Sequence, residues 1–513
     1  MKTKTKPNRS HFDVNDLASD IKGRSVRGGA ATILGQGVRF VVHTLSTVVL
    51  ARLLVPADFG LITMVAAVTV FVSLFGDIGL SMATVQREKI NHEQVSTLFW
   101  INAGLGALTT TVTLVLAPGI AWFYSEQRLT MITVVLAFNF LLGGLAVQHR
   151  ALLQRRMRFV ALASIHIVSE ITGVGIAIVS AKMGAGYWAL VIMQTATAMV
   201  DAIGVWLASG WKPGRPDWHS GVRSMLVFGG NITGFNIVNY FARNADNVLI
   251  GRTWGAGPLG LYNKAYALLM LPLYQINIPL SSVAIPTLSR LYSDHLKYKE
   301  YYLKTISLIT FVSIPLVVFF IVCSHALILL ILGSKWVAAG EIFSVLGFSA
   351  LVQPLYFTQG WLHVSSGRSD RYVRWGIANS VFVVLGFVVG LPYGPFGVAM
   401  SYAIVSWITI VPCMWYAGGS AGIGVSEIFA AVGRNIAAGL GSIGVSFMLL
   451  EHVIIPKTTW AQLFVGLSSV VITYCLFLLV LYRDLSLWRS LISVAVAFKQ
   501  PIARKSPQKV EIV

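Results

Sequence analysis

Runs of about 20 or more mostly apolar residues follow one another along nearly all of the 513 residues, with only short polar stretches between them. A segment in hydrocarbon must satisfy its own backbone hydrogen bonds, so only helices and closed barrels span a bilayer. A barrel would alternate apolar and polar residues over segments of about ten, and this chain shows no such alternation. The expected class is therefore an all-α polytopic membrane protein with about 14 transmembrane helices. The spans are expected near 28–51, 58–83, 95–122, 128–148, 158–181, 185–209, 224–250, 259–288, 304–333, 338–363, 373–391, 394–417, 428–449 and 459–482.

Charge sets the orientation. The net charge of +19 fits cytoplasmic loops enriched in Lys and Arg better than nucleic-acid binding, and no nucleic-acid partner is expected. Of the 39 Lys and Arg residues, 29 fall in the tails and alternate loops or the span ends beside them, 7 in or beside the remaining loops, and three (Arg39, Arg243, Arg434) deep within spans. That asymmetry predicts an even number of crossings with both termini cytoplasmic. The polar first residues lack the compact apolar core of a signal peptide and are expected to form a cytoplasmic tail. Cys323, Cys413 and Cys475 stand singly in apolar runs, which argues against a disulfide frame or a metal site. No nucleophile elbow, phosphate-binding loop or zinc-protease motif is present. Neither an enzyme nor a cofactor is expected. Trp100, Trp122, Trp188, Trp211, Trp254, Trp336 and Trp460 lie near expected span ends and read as interfacial anchors. Ser289–Lys304 reads as an amphipathic connector.

The chain repeats itself at an offset of 200. Arg52–Leu61, "RLLVPADFGL", falls on Arg252–Leu261, "RTWGAGPLGL", matching Arg52 to Arg252, Gly60 to Gly260 and Leu61 to Leu261. Without a gap, "DIGLS" at Asp77 falls on "NIPLS" at Asn277. Two six-helix lobes in parallel repeat follow, with two extra C-terminal helices. The expected organisation is a tail over 1–27, a first lobe over 28–209, a second lobe over 224–417, two helices within 428–482, and an interfacial helix with a basic tail over 483–513. Transporters built from such halves bind substrate between them.

Charges at membrane depth mark the functional face. At 100° per residue, Asn236, Asn239, Arg243, Asp246 and Asn247 share an arc of about 100° on span 7. The positions 200 residues earlier are Gln36, Arg39, His43, Ser46 and Thr47, all polar. A charge at the bilayer centre costs about 2.5–3.5 kcal/mol on insertion scales, so such stripes face a wet cavity or the bundle interior. Guanidinium groups offer forked donors suited to phosphate, and the amides of Gln36, Asn236 and Asn239 suit sugar hydroxyls. Arg243 and Asp246, three residues apart, could equally neutralise each other. Asp77 and Glu170 are candidates for ion coupling. Lys264 reads either as a cavity wall charge or as a snorkelling lysine.

The stretches "LARLLVPADFGLITM", "FGDIGLSMATVQRE", "GYWALV" and "NADNVLIGRTWGAGPLGLYNKAYALLMLP" resemble the Wzx-type polysaccharide exporters of bacteria. These form the lipopolysaccharide and exopolysaccharide flippase branch of the multidrug/oligosaccharidyl-lipid/polysaccharide (MOP) exporter superfamily. The resemblance implies a two-lobed fold in the inner membrane. It further implies flipping of undecaprenyl-pyrophosphate-linked oligosaccharide units to the periplasmic leaflet by alternating access, driven by an ion gradient. Cavity residues would then be Arg39 and Arg243, with Asp77, Asp246 and Lys264 as weaker carry-overs. Related lipid II flippases carry more arginines on their early helices than the one, Arg39, expected here on span 1. Expected partners are the lipid-linked oligosaccharide, membrane lipids, and polysaccharide polymerase and chain-length machinery. A multidrug or cation antiporter of the same fold would favour an acidic cavity. A polysaccharide polymerase or ligase would need a large extracytoplasmic loop, and none is present.

Overall fold

The computed structural model describes residues 21–74, 80–87, 90–217, 244–452 and 458–482. Every regular element among them is helical. The first lobe comprises α1 (Ile21–Leu53), α2 (Pro56–Ser73), α3 (Leu80–Gln86), α4 (His92–Tyr124), α5 (Arg128–Arg155), α6 (Phe159–Lys182) and α7 (Trp188–Ser209). The second lobe begins with helical residues 244–254, here α8. It continues with α9 (Ala256–Leu291), α10 (His295–Val322), α11 (Ser324–Ile331), α12 (Ala339–Ala350), α13 (Gln353–Ser365), α14 (Ser369–Gly390) and α15 (Gly394–Ala421). The final pair, α16 (Val425–His452) and α17 (Thr459–Tyr482), packs on α10. Among the described residues, eleven helical stretches are long and apolar enough to cross a membrane, or twelve if α12 and α13, bent by 40°, form one span. One of the eleven, residues 369–421, contains both α14 and α15. The protein is a multi-pass membrane protein.

Local chemistry sets the boundaries. Asn91 caps α4 by accepting from the Gln94 amide at 2.8 Å, and the Gln94 side chain accepts from the Asn91 amide in return, a capping box. Pro56 occupies the first turn of α2, where its missing N–H costs nothing. Pro354 opens α13 just after the bend. At the α14–α15 reversal, Gly394 adopts φ 73°, a backbone region that favours glycine.

Several expectations are corrected. α1 begins at Ile21 rather than near 28, so Lys22, Arg24 and Arg27 lie on it and Arg39 is not its only cation. Span 2 is not one helix to residue 83: α2 ends at Ser73 and α3 starts at Leu80. α5 runs to Arg155, which puts Arg150 on the helix rather than in a loop. The Ser289–Lys304 connector shrinks to residues 292–294. Its tyrosines dock instead of staying in water: Tyr298 and Tyr302 are fully buried, and their hydroxyls meet Ser365 at 2.7 Å and Thr358 at 3.3 Å. Trp211 and Trp336 are core residues rather than anchors. Trp336 donates to the Ala51 carbonyl (2.8 Å), and Trp211 donates to His92 (3.1 Å).

The 200-residue repeat reappears as a reciprocal contact. A Cβ on Gly60 would lie 1.8 Å from the carbonyl oxygen of Ala256, and one on Gly260 would lie 1.9 Å from that of Pro56. Pro56 and Ala256 are themselves 200 apart, so each half presses its glycine on the equivalent carbonyl of the other. A self-complementary contact of this kind is what a two-fold relation produces. Among the described residues, α2 and α9 thus carry the main seam between the lobes. Around it, Arg52 donates to the Leu330 carbonyl (2.6 Å), Lys335 donates to that of Leu53 (3.1 Å), and the Phe59 ring meets Trp336 edge-on at 5.3 Å. The lobes therefore meet at the end where α1 passes into α2.

Candidate functional site

α1 has two opposed faces. Leu34, Val38, Val41, Leu45 and Val49 are all exposed and fall within an arc of about 80° at 100° per residue. A continuous exposed apolar stripe of this kind is a lipid-facing surface. Gln36, Arg39 and His43 are also exposed, but they centre about 150° away. Between the two faces, Gly35 meets Ala163 and lets α1 lie close against α6. The exposed polar face therefore looks away from lipid, toward the space beside α6. Ser46 is buried and Thr47 half-buried at its upper edge.

The charges on this face have a partner. Glu170 of α6 accepts from Arg39 Nε at 3.2 Å, and its other oxygen lies 3.7 Å from His43 Nδ1. The Arg39 side chain is 53% exposed, the His43 side chain 68% and the Glu170 side chain 17%. Arg39 is thus held at one edge and open to water at the other. Its remaining guanidinium donors can take an anion without first being dug out of a dry core.

A second polar cluster sits lower in the first lobe. Asp201 of α7 pairs with Arg150 of α5 and, at 2.8 Å, with His166 of α6. His166 lies one turn before Glu170 on α6, so the two clusters are neighbours along one helix. The Asp201 carboxylate ties three helices together. Asp201→Ala is expected to lower stability by about 3 kcal/mol, because it strands a partly buried arginine. Thermal unfolding in detergent would measure this, and an unchanged midpoint would contradict the structural role.

The second lobe holds a cavity of about 880 Å³ between α9, α13, α14 and α15. Asp246 of α8 lies on its wall and is buried. Its oxygens accept from the Tyr262 hydroxyl (3.0 Å) and the Asn247 amide (2.7 Å). The rest of the wall is mostly aromatic rings and carboxamides. Gln353 donates to Tyr402 (3.1 Å), and the Tyr356 hydroxyl bonds the Ser406 carbonyl (2.9 Å).

The expected site residues thus divide. Gln36, Arg39, His43 and Glu170 come together on the α1–α6 face, whereas Asp246 lines the second-lobe cavity. Lys264 sits at the lobe seam, with its ammonium 4.4 Å from the centre of the Phe59 ring, a cation–π contact. Asp77, Asn236, Asn239 and Arg243 lie outside the described residues, as does any contact between Arg243 and Asp246. Sequence reasoning marks Asp201 as a charge within an expected span, 185–209, but misses its partners Arg150 and His166. Among the described residues no group of three or more His, Cys, Asp or Glu is placed to hold a metal.

A family model described as "Polysaccharide biosynthesis protein" matches residues 49–341. The teichuronic acid biosynthesis protein TuaB of Bacillus subtilis is 28% identical over 391 residues, covering 75% of this chain and 81% of the relative. The succinoglycan biosynthesis transport protein ExoT of Rhizobium meliloti is 25% identical over 478 residues, covering 91% and 95%. Among solved structures, the lipid II flippase MurJ in an inward closed conformation aligns with a TM-score of 0.68 at 13% identity, covering 90% of this chain and 99% of that one. An inward-facing multidrug resistance transporter of the MATE family aligns at 0.59 and 12% identity, covering 78% and 99%. At these identities the structures establish the shared fold.

Proposed function

The chain belongs to the polysaccharide biosynthesis protein family, and from that premise we propose that it flips undecaprenyl-pyrophosphate-linked oligosaccharide units across the bacterial inner membrane. The observation that carries this reading is the exposed polar face of α1 turned away from the lipid-facing stripe, with Arg39 half-open to water. A guanidinium in that position offers charged, forked donors to a pyrophosphate while the polyprenyl tail stays in lipid. Both termini are cytoplasmic in this reading, so the seam at the α1–α2 end is extracytoplasmic and the site loads from the cytoplasm. Arg243 and Asp77 are retained as a second headgroup cation and a coupling carboxylate.

Glu170 links binding to an ion gradient. Ionised, it pairs with Arg39, and an arriving pyrophosphate competes for the same cation. A displaced Glu170 frees Arg39 for substrate, so headgroup binding and release of this ion pair favour each other. Nothing in this cycle makes or breaks a covalent bond, so the protein acts as a transporter rather than an enzyme. It feeds a polysaccharide polymerase and its chain-length machinery on the far side of the membrane.

The expected result of deleting the protein in its host is loss of surface polysaccharide with intact lipid-linked repeat units accumulating in the cytoplasmic leaflet. Accumulation in the periplasmic leaflet would place the defect at polymerisation and overturn the flipping reading.

A further inference from the structure

The second-lobe cavity differs in chemistry from the α1 face. Its described wall carries one carboxylate, Asp246, among aromatic rings and carboxamides. From α14, Tyr372, Trp375 and Asn379 line it one turn apart, with Tyr274 and Asn277 on α9 and Gln359 on α13. The Asn379 side-chain oxygen is buried without a hydrogen-bond partner. An orphaned buried acceptor is uncommon in native structures, and its side chain lines the cavity, so a turn of the amide offers that oxygen to a hydroxyl-bearing ligand. At about 880 Å³ the cavity is near the top of the range for small-molecule sites, roughly 300–1,000 Å³.

We infer that this chamber binds the glycan of the lipid-linked substrate, which rests on the transport reading above. Pyranose rings present one face of C–H groups and an equator of hydroxyls. Flat aromatic side chains match the first, and carboxamides, which both donate and accept, match the second. The substrate is thus read in two parts: the pyrophosphate on the α1 face of the first lobe and the sugar rings in the second lobe. Because each lobe holds one part, full engagement needs both lobes in place, and binding one end concentrates the other at its own site.

The test uses the full-length protein in lipid nanodiscs. Two probes are compared: bare undecaprenyl pyrophosphate and undecaprenyl pyrophosphate carrying a neutral tetrasaccharide of glucose and galactose. Tyr372→Ala removes a half-exposed ring, and Asn379→Ala removes an oxygen that bonds nothing in the described structure. Both variants are expected to weaken the tetrasaccharide lipid about tenfold, the loss of one good polar or aromatic contact. Bare undecaprenyl pyrophosphate should bind as it does to wild type. Unchanged affinity for the tetrasaccharide lipid in both variants would overturn the chamber as the glycan site, as would equal weakening of both lipids. If Arg39→Ala weakens both lipids while the chamber variants change neither, the transport reading survives without this inference. Wild-type protein that binds neither lipid overturns both.

Discussion

Arg39→Ala is expected to weaken binding of undecaprenyl pyrophosphate about 10- to 100-fold. A hydrogen bond to a charged group contributes about 1.5–3 kcal/mol, and each 1.4 kcal/mol is a factor of about ten. The Arg39 side chain is half-exposed and its ion pair with Glu170 contributes little to stability, so the protein should fold and insert as before. Arg39→Lys keeps the charge but loses the fork and should fall between wild type and alanine. Glu170→Gln should move affinity the other way. It removes the group that competes for Arg39, but an exposed ion pair contributes only about 0–1 kcal/mol, so the gain is at most about fivefold. Dependence of transport on the ion gradient should weaken in the same variant. Titration of each variant in nanodiscs gives these values. A well-folded Arg39→Ala protein with wild-type affinity would remove Arg39 from the headgroup site.

Leucine at Gly60 or Gly260 is expected to reduce transport to background. Each glycine lies against the main chain of the opposite lobe, with room for no Cβ: 1.8 Å to the Ala256 oxygen and 1.9 Å to the Pro56 oxygen. A side-chain neighbour could swing aside, but a backbone carbonyl in the first turn of a helix cannot. The lobes must then part at this end, and a protein held in one of two states cannot alternate. Spin labels at Trp122→Cys and Tyr393→Cys, both highly exposed on opposite lobes, should report a longer distance in Gly60→Leu than in the glycine parent. Normal transport with an unchanged distance would mean that the seam accommodates a side chain at Gly60 and does not hold the lobes as described.

The fold was legible because hydrophobic span length and an internal repeat survive in the chain itself. An offset of 200 pairs Gly60 with Gly260 in the sequence, and the same pair forms the reciprocal seam. The stripe on α1 was legible for a similar reason: helical periodicity places Gln36, Arg39 and His43 on one side without knowledge of any neighbour. What pairs with that stripe was not legible. The link from Arg39 to Glu170 joins residues 131 positions apart, and Arg150 meets Asp201 across 51, so neither shows in the pattern of a single helix. The end of α5 lies beyond its expected span. Arg150 and Arg155 read as loop charges, yet α5 carries both. Arg155 is buried and donates to the Thr84 carbonyl (3.1 Å), which fixes the end of α3. The second-lobe chamber was hidden for a different reason. Its tyrosines and tryptophan count as apolar span residues in a hydropathy reading, and only packing reveals that their faces converge on a cavity.

Cysteine accessibility along α1 tests the central claim most directly. In a protein with Cys475 replaced by serine, single cysteines at Gln36 and His43 are compared with single cysteines at Leu34 and Leu45, using a charged, membrane-impermeant maleimide. The account predicts rapid labelling at 36 and 43, slowed by added undecaprenyl pyrophosphate, and little labelling at 34 and 45. Equal labelling of all four positions, or labelling at 36 and 43 that the pyrophosphate lipid leaves unchanged, would contradict a wet headgroup site on this face.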